Sequence, residues 1–136
     1  MKLKLTLTSI PPSKKNNRIM RFGKKPVSLP SKQYTKWHEV AFYELIEQKR
    51  YIDYPEIKRT LPIDLNDDLQ ITRCNCLEVE FISRYKYKKD IDNTLTSLLD
   101  FLVDTEIFYD DNWYVIPKII TSFKQGDEER TNIIIT

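Results

Sequence analysis

A change in apolar spacing within one stretch limits the folds open to this chain. Leu77, Val79 and Phe81 alternate with polar residues, which is the period of a strand with one buried face. Further on, the spacing becomes three and four residues, as in an amphipathic helix. The residues with helical spacing are Leu95, Leu98, Leu99, Leu102 and Val103. The chain therefore requires a sheet with a helix packed against it.

Four more segments complete the predicted fold. "MKLKLTLTSI" alternates leucines as a first strand does, and the apolar stripe from Tyr34 to Leu45 predicts a helix that Ser31 caps and that ends near Lys49. "WYVIPKIITSF" and "RTNIIIT" predict two last strands around a turn at Gly126. The order β-α-β-α-β-β predicts an α/β (α+β) fold in which two helices pack on a mixed four-stranded sheet.

Two segments lack a regular pattern. "PPSKKNNRIMRFGKKPVSLPS", residues 11–31, contains four prolines and is predicted to be a loop. Residues 51–69 are predicted to form a long irregular connection. Trp113 and Tyr114 are expected to belong to the core rather than to a functional surface.

Length and composition favour one domain, residues 1–136, because 136 residues with 40% hydrophobic side chains can enclose one core. No apolar run approaches the ~20 residues that cross a bilayer, so no membrane partner and a cytoplasmic location are expected. Cys74 and Cys76 have strand spacing and are not expected to form a disulfide. With His38 as the one histidine, a zinc site or a histidine-based triad is not expected.

Charge is strongly segregated along the chain. Residues 1–38 contain ten lysines and arginines and no acid, so the rest of the chain carries a net charge of −8 against +2 for the whole. This asymmetry predicts an anionic partner, with nucleic acid as the first candidate. A second basic run, with Tyr85 and Tyr87 interleaved, precedes the second helix. The candidate DNA-binding residues are Lys14, Lys15, Arg18, Arg21, Lys24, Lys25, Arg84, Lys86, Lys88 and Lys89.

Three aspartates are the candidate catalytic and metal-binding residues. Asp90 and Asp92 would point to one face if the preceding strand stayed extended, and oxygen ligands suit Mg²⁺ or Mn²⁺. The helix from about residue 93 leads outward by roughly 18 Å and the next seven residues can return by about 23 Å, which can bring Asp111 back beside Asp92. Carboxylates with a cation beside a basic strip are what phosphodiester hydrolysis requires.

Other interpretations of these residues stay open. Asp92 or Asn93 is also a candidate helix cap, and for Asn93 capping is favoured over orienting a carboxylate. "YDDN", residues 109–112, is equally typical of a solvated turn, and the choice between Asp110 and Asp111 as third ligand is open.

In combination, these motifs resemble the RusA-type Holliday-junction resolvases. The resemblance rests on "DIDN" after a basic run, an apolar helix, "IFYDD" with its second aspartate 19 residues beyond Asp92, and "PPSKKNNR" after the first strand. It spans residues 1 to about 123. It implies a homodimeric, Mg²⁺-dependent endonuclease of DNA recombination and repair that nicks two opposed strands of a four-way junction. Asp90 and Asp92 match the paired catalytic acids of the family, Asp111 the third, and Lys89 the preceding basic residue.

The chain departs from the family pattern in three places. Thr96 stands where the family has a lysine, for which Lys88, Lys89 or Lys118 could substitute. The connection over residues 51–70 is longer than the family pattern, and the Pro-Pro-Ser loop carries extra lysines. The missing lysine supports an alternative, a non-catalytic protein that binds branched DNA with a decayed nuclease site. A third hypothesis is a protein-interaction domain whose basic first third meets an acidic protein.

Overall fold

The computed structural model describes residues 3–13, 18–22, 25–29, 32–49, 64–65, 70–85 and 90–136. These residues form eight strands and two helices. The strands are β1 (Leu3–Leu7), β2 (Arg18–Phe22), β3 (Lys25–Leu29), β4 (Asp64–Leu65), β5 (Ile71–Arg73), β6 (Leu77–Ser83), β7 (Ile119–Gln125) and β8 (Arg130–Ile135). The helices are α1 (Lys32–Lys49) and α2 (Ile91–Asp104).

The central sheet has the strand order β1-β8-β6-β7. β8 pairs antiparallel with β1 and β6, whereas β6 and β7 run parallel and are connected through α2. Ile133 stands opposite both Leu5 and Val79, so the alternating apolar residues of three strands share one face. The buried residues of this face are Leu3, Leu5, Leu7, Leu77, Val79, Phe81, Ile133 and Ile135.

The two helices and this face of the sheet together form one hydrophobic core. α1 buries Tyr34, Trp37, Ala41 and Leu45, and α2 buries Leu98, Phe101 and Leu102. The rings of Trp37 and Phe101 meet edge-on at 4.9 Å, which joins the two helices. The mixed four-stranded sheet with two helices, in the order β-α-β-α-β-β, is therefore confirmed.

The opposite face of the sheet is more polar and partly exposed. Glu80 accepts a hydrogen bond from the Asn132 amide at 3.1 Å and forms an ion pair with Lys124 at 3.3 Å. The turn between β7 and β8 includes Gly126, as predicted, where a Cβ atom would collide with the Ile82 side chain. Only glycine fits this close approach to the branched Ile82 side chain.

The prediction of a loop over residues 11–31 is wrong for the part that forms β2 and β3. These strands pair antiparallel, with Phe22 opposite Lys25 and Arg18 opposite Leu29. Pro26 lies inside β3 because both members of a two-stranded pair are edge strands, where a missing N–H is tolerated. The number of prolines in residues 11–31 therefore led to a prediction of too little regular structure in this segment.

Two element boundaries differ from the sequence prediction. α2 begins at Ile91, two residues earlier than expected, and the last parallel strand begins only at Ile119, because residues 113–115 form a turn. β4 and β5 pair with each other. The predicted irregular connection over residues 51–69 lies outside the described residues apart from Asp64–Leu65.

The two cysteines are both reduced, as expected. Burial, the largest cause, raises the pKa of the Cys74 thiol to about 11, and the neighbouring Cys76 adds to the shift. In the described chain, neither helix combines the length and apolar character that a membrane crossing needs.

Candidate active site

Asp90 is the residue that immediately precedes α2. Its backbone is extended, with φ −77° and ψ 117°, and Ile91 is the first helical residue. The Asp90 carbonyl accepts hydrogen bonds from the Thr94 N–H at 3.1 Å and from the Thr94 hydroxyl at 2.9 Å. Asp92 already lies in the first helical turn, so the pair does not adopt the extended geometry that the sequence suggested.

Asn93 contacts the Asp90 carboxylate instead of capping the helix. Its side-chain amide donates to Asp90 Oδ2 at 3.3 Å. Within the first turn of α2, whose residues are all described, the Asp90 side chain makes no capping hydrogen bond. The capping role expected for Asn93 is therefore wrong, since Asn93 is the third residue of the helix. Its Oδ1 atom is buried without a hydrogen-bond partner among the described residues.

The start of α2 favours negative charge. Asp90 and Asp92 are exposed and lie where the aligned peptide dipoles leave partial positive charge. Two carboxylates fit Mg²⁺, which usually takes one or two protein carboxylates and keeps water and phosphate oxygens as its other ligands. Among the residues that the structure describes, no three acidic, imidazole or thiol groups gather closely enough to hold a metal ion by themselves.

A cleft of about 230 Å³ opens beside Asp90. It brings together the loop after β1, the first turn of α1 and the first turn of α2. Its lining residues are Pro11, Pro12, Ser13, Gln33, Asp90, Asn93 and Thr94. The Pro-Pro-Ser segment, which precedes the predicted DNA-binding lysines in the sequence, therefore borders Asp90.

The chain leaves α2 through a left-handed residue. Glu106 has φ 64°, a conformation that usually favours glycine, and it is held by two hydrogen bonds of a helix-ending motif. The Glu106 N–H donates to Val103 O at 3.0 Å and the Ile107 N–H to Leu102 O at 3.0 Å. This motif reverses the chain and starts its return towards the sheet.

The returning segment is pinned to β5. The Ile71 N–H donates to Ile107 O at 2.8 Å, and the Tyr109 N–H donates to Ile71 O at 2.9 Å. Beyond it, Asp110 organises a turn: Oδ1 accepts the Asp111 N–H at 2.7 Å and Oδ2 accepts the Asn112 amide at 3.0 Å. Both carboxylate oxygens of Asp110 thus serve the turn.

Asp111 is exposed, and the pKa of its carboxyl is raised above the ordinary value. Partial desolvation is the largest cause, followed by the hydrogen bond and charge of Asp110, and the charge of Asp100 adds to the shift. Asp92, Thr96 and Asp100 recur every four residues and so lie along one side of α2. The segment that follows α2 therefore passes close enough to this side of the helix for the charges of Asp111 and Asp100 to interact.

Trp113 and Tyr114 are not in the core. Their side chains are 79% and 59% exposed, and Tyr109 is 64% exposed. The core positions of this segment belong instead to Phe108, Val115 and Ile116, which are buried. The sequence prediction is wrong because the segment forms a turn rather than a strand, so apolar character alone did not decide which side chains point inward.

The structure describes part of the predicted basic surface. The backbones of Arg18, Arg21 and Lys25 belong to the β2–β3 pair, and Arg84 is exposed at the end of β6, in a cleft shared with Glu128 and Glu129. The remaining candidates lie outside the described residues; they are Lys14, Lys15, Lys24, Lys86, Lys88 and Lys89.

Thr96 and Lys118 bear on the missing family lysine. Thr96 is exposed, and its hydroxyl donates to the Asp92 carbonyl at 2.7 Å, so it sits one turn beyond that aspartate. Lys118 is exposed at the start of β7, and its carbonyl accepts the Leu77 N–H at 2.9 Å. It therefore lies beside the start of β6, whereas the chain reaches Asp90 from the other end of that strand.

Comparison with known proteins assigns the family. The model of the endodeoxyribonuclease RusA family matches residues 9–136, which include both helices and all three candidate aspartates. A search of curated proteins found no match. The family match covers nearly the whole chain, with the aspartate pair at the start of α2 and Asp111 on the returning turn. The chain therefore belongs to the RusA family of endodeoxyribonucleases.

Proposed function

We propose that the protein is a Mg²⁺-dependent, structure-specific endonuclease that resolves four-way Holliday junctions by paired symmetric nicks, in DNA recombination and repair. The observation that carries the proposal is the placement of Asp90 and Asp92 at the start of α2 in a chain of the RusA endodeoxyribonuclease family. Each carboxylate can supply oxygen ligands to a hard divalent cation.

In this proposal, Asp90, Asp92 and Asp111 hold the cation, with Mn²⁺ as a possible substitute. A bound cation supplies an activated water and neutralises charge on the scissile phosphate and the leaving oxygen. The proposal requires the three carboxylates to come together on the cation, since the described residues contain no preformed group of three. The dipole of α2 favours negative charge at Asp90 and Asp92.

Asp111, rather than Asp110, is the better third ligand. Asp110 uses one oxygen on the Asp111 N–H and the other on the Asn112 amide. Asp111 carries a raised pKa, mainly because its carboxyl is partly desolvated and further because of the hydrogen bond and charge of Asp110. A bound cation would stabilise the ionised form of this carboxyl, which agrees with the assignment of Asp111 as the third ligand.

Asn93 is a positioning residue in this scheme. Its amide donates to Asp90 Oδ2 at 3.3 Å, which restricts the orientation of the Asp90 carboxylate. Partners that orient metal-binding side chains commonly change activity by about 10- to 100-fold when they are removed.

The basic residues on both sides of the carboxylates would grip the DNA arms through phosphates, which position a duplex without reading its sequence. Pro11 to Ser13 border Asp90, and Lys14 and Lys15 follow them in the sequence. A homodimer fits the substrate, because two identical active sites about a two-fold axis match the near two-fold symmetry of a junction and its paired nicks. Solution mass tests the dimer.

The decisive experiment is cleavage of a labelled synthetic four-way junction with Mg²⁺ or Mn²⁺. Wild type should produce symmetric nicks, and Asp92→Asn should not. Asp127→Asn, an exposed aspartate in the turn between β7 and β8, is the matched control and should cut normally. If wild type cuts neither junctions nor forks nor flaps, the proposed nuclease activity is wrong. If Asp92→Asn is fully active, the assignment of the active site is wrong.

The same assay separates the other hypotheses. A decayed nuclease would bind junctions with steep salt dependence and never nick them. A domain that binds an acidic protein would show no preference for branched over linear DNA in a competition shift assay.

A further inference from the structure

Three aromatic side chains lie in solvent on the turn that carries Asp111. Tyr109, Trp113 and Tyr114 are each more than half exposed, and Trp113 is among the most exposed large apolar side chains of the described chain. We call these three side chains the aromatic surface. They do not fill the core, so their exposure is not explained by folding.

The backbone beneath the aromatic surface is firmly held. The Tyr109 N–H donates to Ile71 O at 2.9 Å, and the Cys74 N–H donates to Val115 O at 2.9 Å. Within the turn, Asn112 Oδ1 accepts the N–H groups of Tyr114 and Val115 at 3.0 and 3.1 Å. The rings are therefore presented from a fixed scaffold, which lowers the entropy lost when a partner packs on them.

The rings of Trp113 and Tyr114 face different directions, so each would stack on a different flat partner. Trp113 and Tyr114 lie 6.3 Å apart, nearly perpendicular at 79°, and the Arg73 guanidinium lies 5.1 Å from the centre of the Tyr114 ring. Tyr109 and Tyr114 also line a shallow cavity of about 300 Å³ together with Thr72, Asn112 and Val115. That volume is at the lower end of the range for small-molecule sites, about 300–1,000 Å³.

We infer that the aromatic surface stacks on unpaired DNA bases next to the scissile phosphate. The inference rests on the proposed function, since Trp113 is two residues from Asp111 and Tyr109 is two residues before it. Bases at a branch point lose stacking neighbours, and aromatic rings replace those neighbours with little sequence preference. The Arg73 cation beside Tyr114 favours a polyanion over an apolar protein surface.

Tryptophan emission tests this inference directly. The chain has two tryptophans, and Trp37 is 8% exposed, so emission changes caused by a surface ligand report on Trp113. Oligothymidylate and a four-way junction are titrated in EDTA, so that no cleavage occurs. Emission should be quenched at saturation, and the quench should be lost in Trp113→Phe, which keeps a ring but not the reporter.

Binding affinities supply the second readout. Trp113→Ala and Tyr114→Ala should each weaken oligothymidylate binding by about 5- to 100-fold, the range of single base–ring stacks. The slope of log K against log salt should not change, because no phosphate contact is lost. Trp113→Phe should retain most of the affinity, and Tyr43→Ala, an exposed tyrosine on α1, should bind as wild type does.

Each contrary result has a distinct meaning. Unchanged emission at saturating DNA, or wild-type affinity of both alanine variants, would overturn the inference that the aromatic surface stacks on bases. This holds even if wild type cuts junctions with Mg²⁺. A variant with normal DNA affinity but a lower solution mass would show that the rings contact a second protein chain, and this also overturns the inference. Failure of wild type to bind or cut any DNA would overturn the proposed function together with it.

Discussion

The start of α2 and the turn of residues 108–116 both carry candidate catalytic aspartates, yet they are built differently. At α2, the exposed Asp90 carboxylate accepts a hydrogen bond from the Asn93 amide at 3.3 Å, and the dipole of the helix favours negative charge there. In the turn, the backbone is fixed by hydrogen bonds to β5 and by the buried side chains of Phe108 and Val115, and none of these contacts involves a candidate catalytic side chain. The contrast indicates that changes at α2 should affect chemistry with little loss of stability, whereas changes in the turn should separate into structural and functional ones.

The largest effect is expected from Asp111→Asn. Cleavage should fall by about 100-fold or more, because even indirect changes at a metal site cost about 10- to 100-fold. The fold should also become more stable at neutral pH. The folded protein raises the pKa of Asp111, so the stability that this group contributes is present at low pH and is lost as pH rises through that pKa. Urea unfolding at several pH values measures this.

The control for this prediction is Asp110→Ala, which removes two hydrogen bonds of the turn. It should lower stability by about 1 kcal/mol and retain most of the cleavage. If Asp110→Ala abolishes cleavage and Asp111→Asn does not, the third ligand has been assigned to the wrong aspartate.

A second prediction separates the two roles within the turn. Phe108→Ala should lower the free energy of unfolding by about 3–5 kcal/mol, because Phe108 is fully buried. Trp113→Ala should change it by less than about 0.5 kcal/mol, because its side chain is 79% exposed. Urea unfolding of both variants gives the two values. Similar losses for both would mean that the turn packs differently and that the aromatic surface is structural.

A third prediction concerns the start of α2. Asn93→Ala should reduce junction cleavage by about tenfold without weakening binding of the uncut junction in EDTA, because it removes the amide that orients Asp90. Stability should hardly change, since the variant also removes a buried Oδ1 atom without a described partner. Single-turnover rates and unfolding curves test this. An unchanged rate would remove Asn93 from the site.

The smallest expected effect is a gain. Thr96→Lys should raise the cleavage rate several-fold, since it returns a positive charge one helical turn beyond Asp92, and about threefold corresponds to roughly 0.65 kcal/mol of barrier. Lysine is also a better helix former than threonine, so the helix should tolerate it. Thr96→Gln is the neutral control of similar length, and an equal gain in that variant would exclude charge as the cause.

Much of the fold could be read from local pattern. Val79 and Ile133 stand opposite each other as two alternating strands require, and the apolar stripe of α2 faces the core through Leu98 and Leu102. The pairing of β2 with β3 could not be read from local pattern. Pro26 indicates a loop unless its strand lies at the edge of a sheet, and whether a strand is an edge depends on which other strands pair with it.

The sequence by itself determined which chemical groups the chain has and their order: two carboxylates before an apolar helix, a third after it, and basic residues around them. Tertiary structure decided what those groups touch. Asn93 faces Asp90 instead of capping, because the helix begins two residues before it, and Asp110 serves the turn. Trp113 faces solvent because Phe108 and Val115 already occupy the core, and competition for buried volume is settled only when the whole chain has packed.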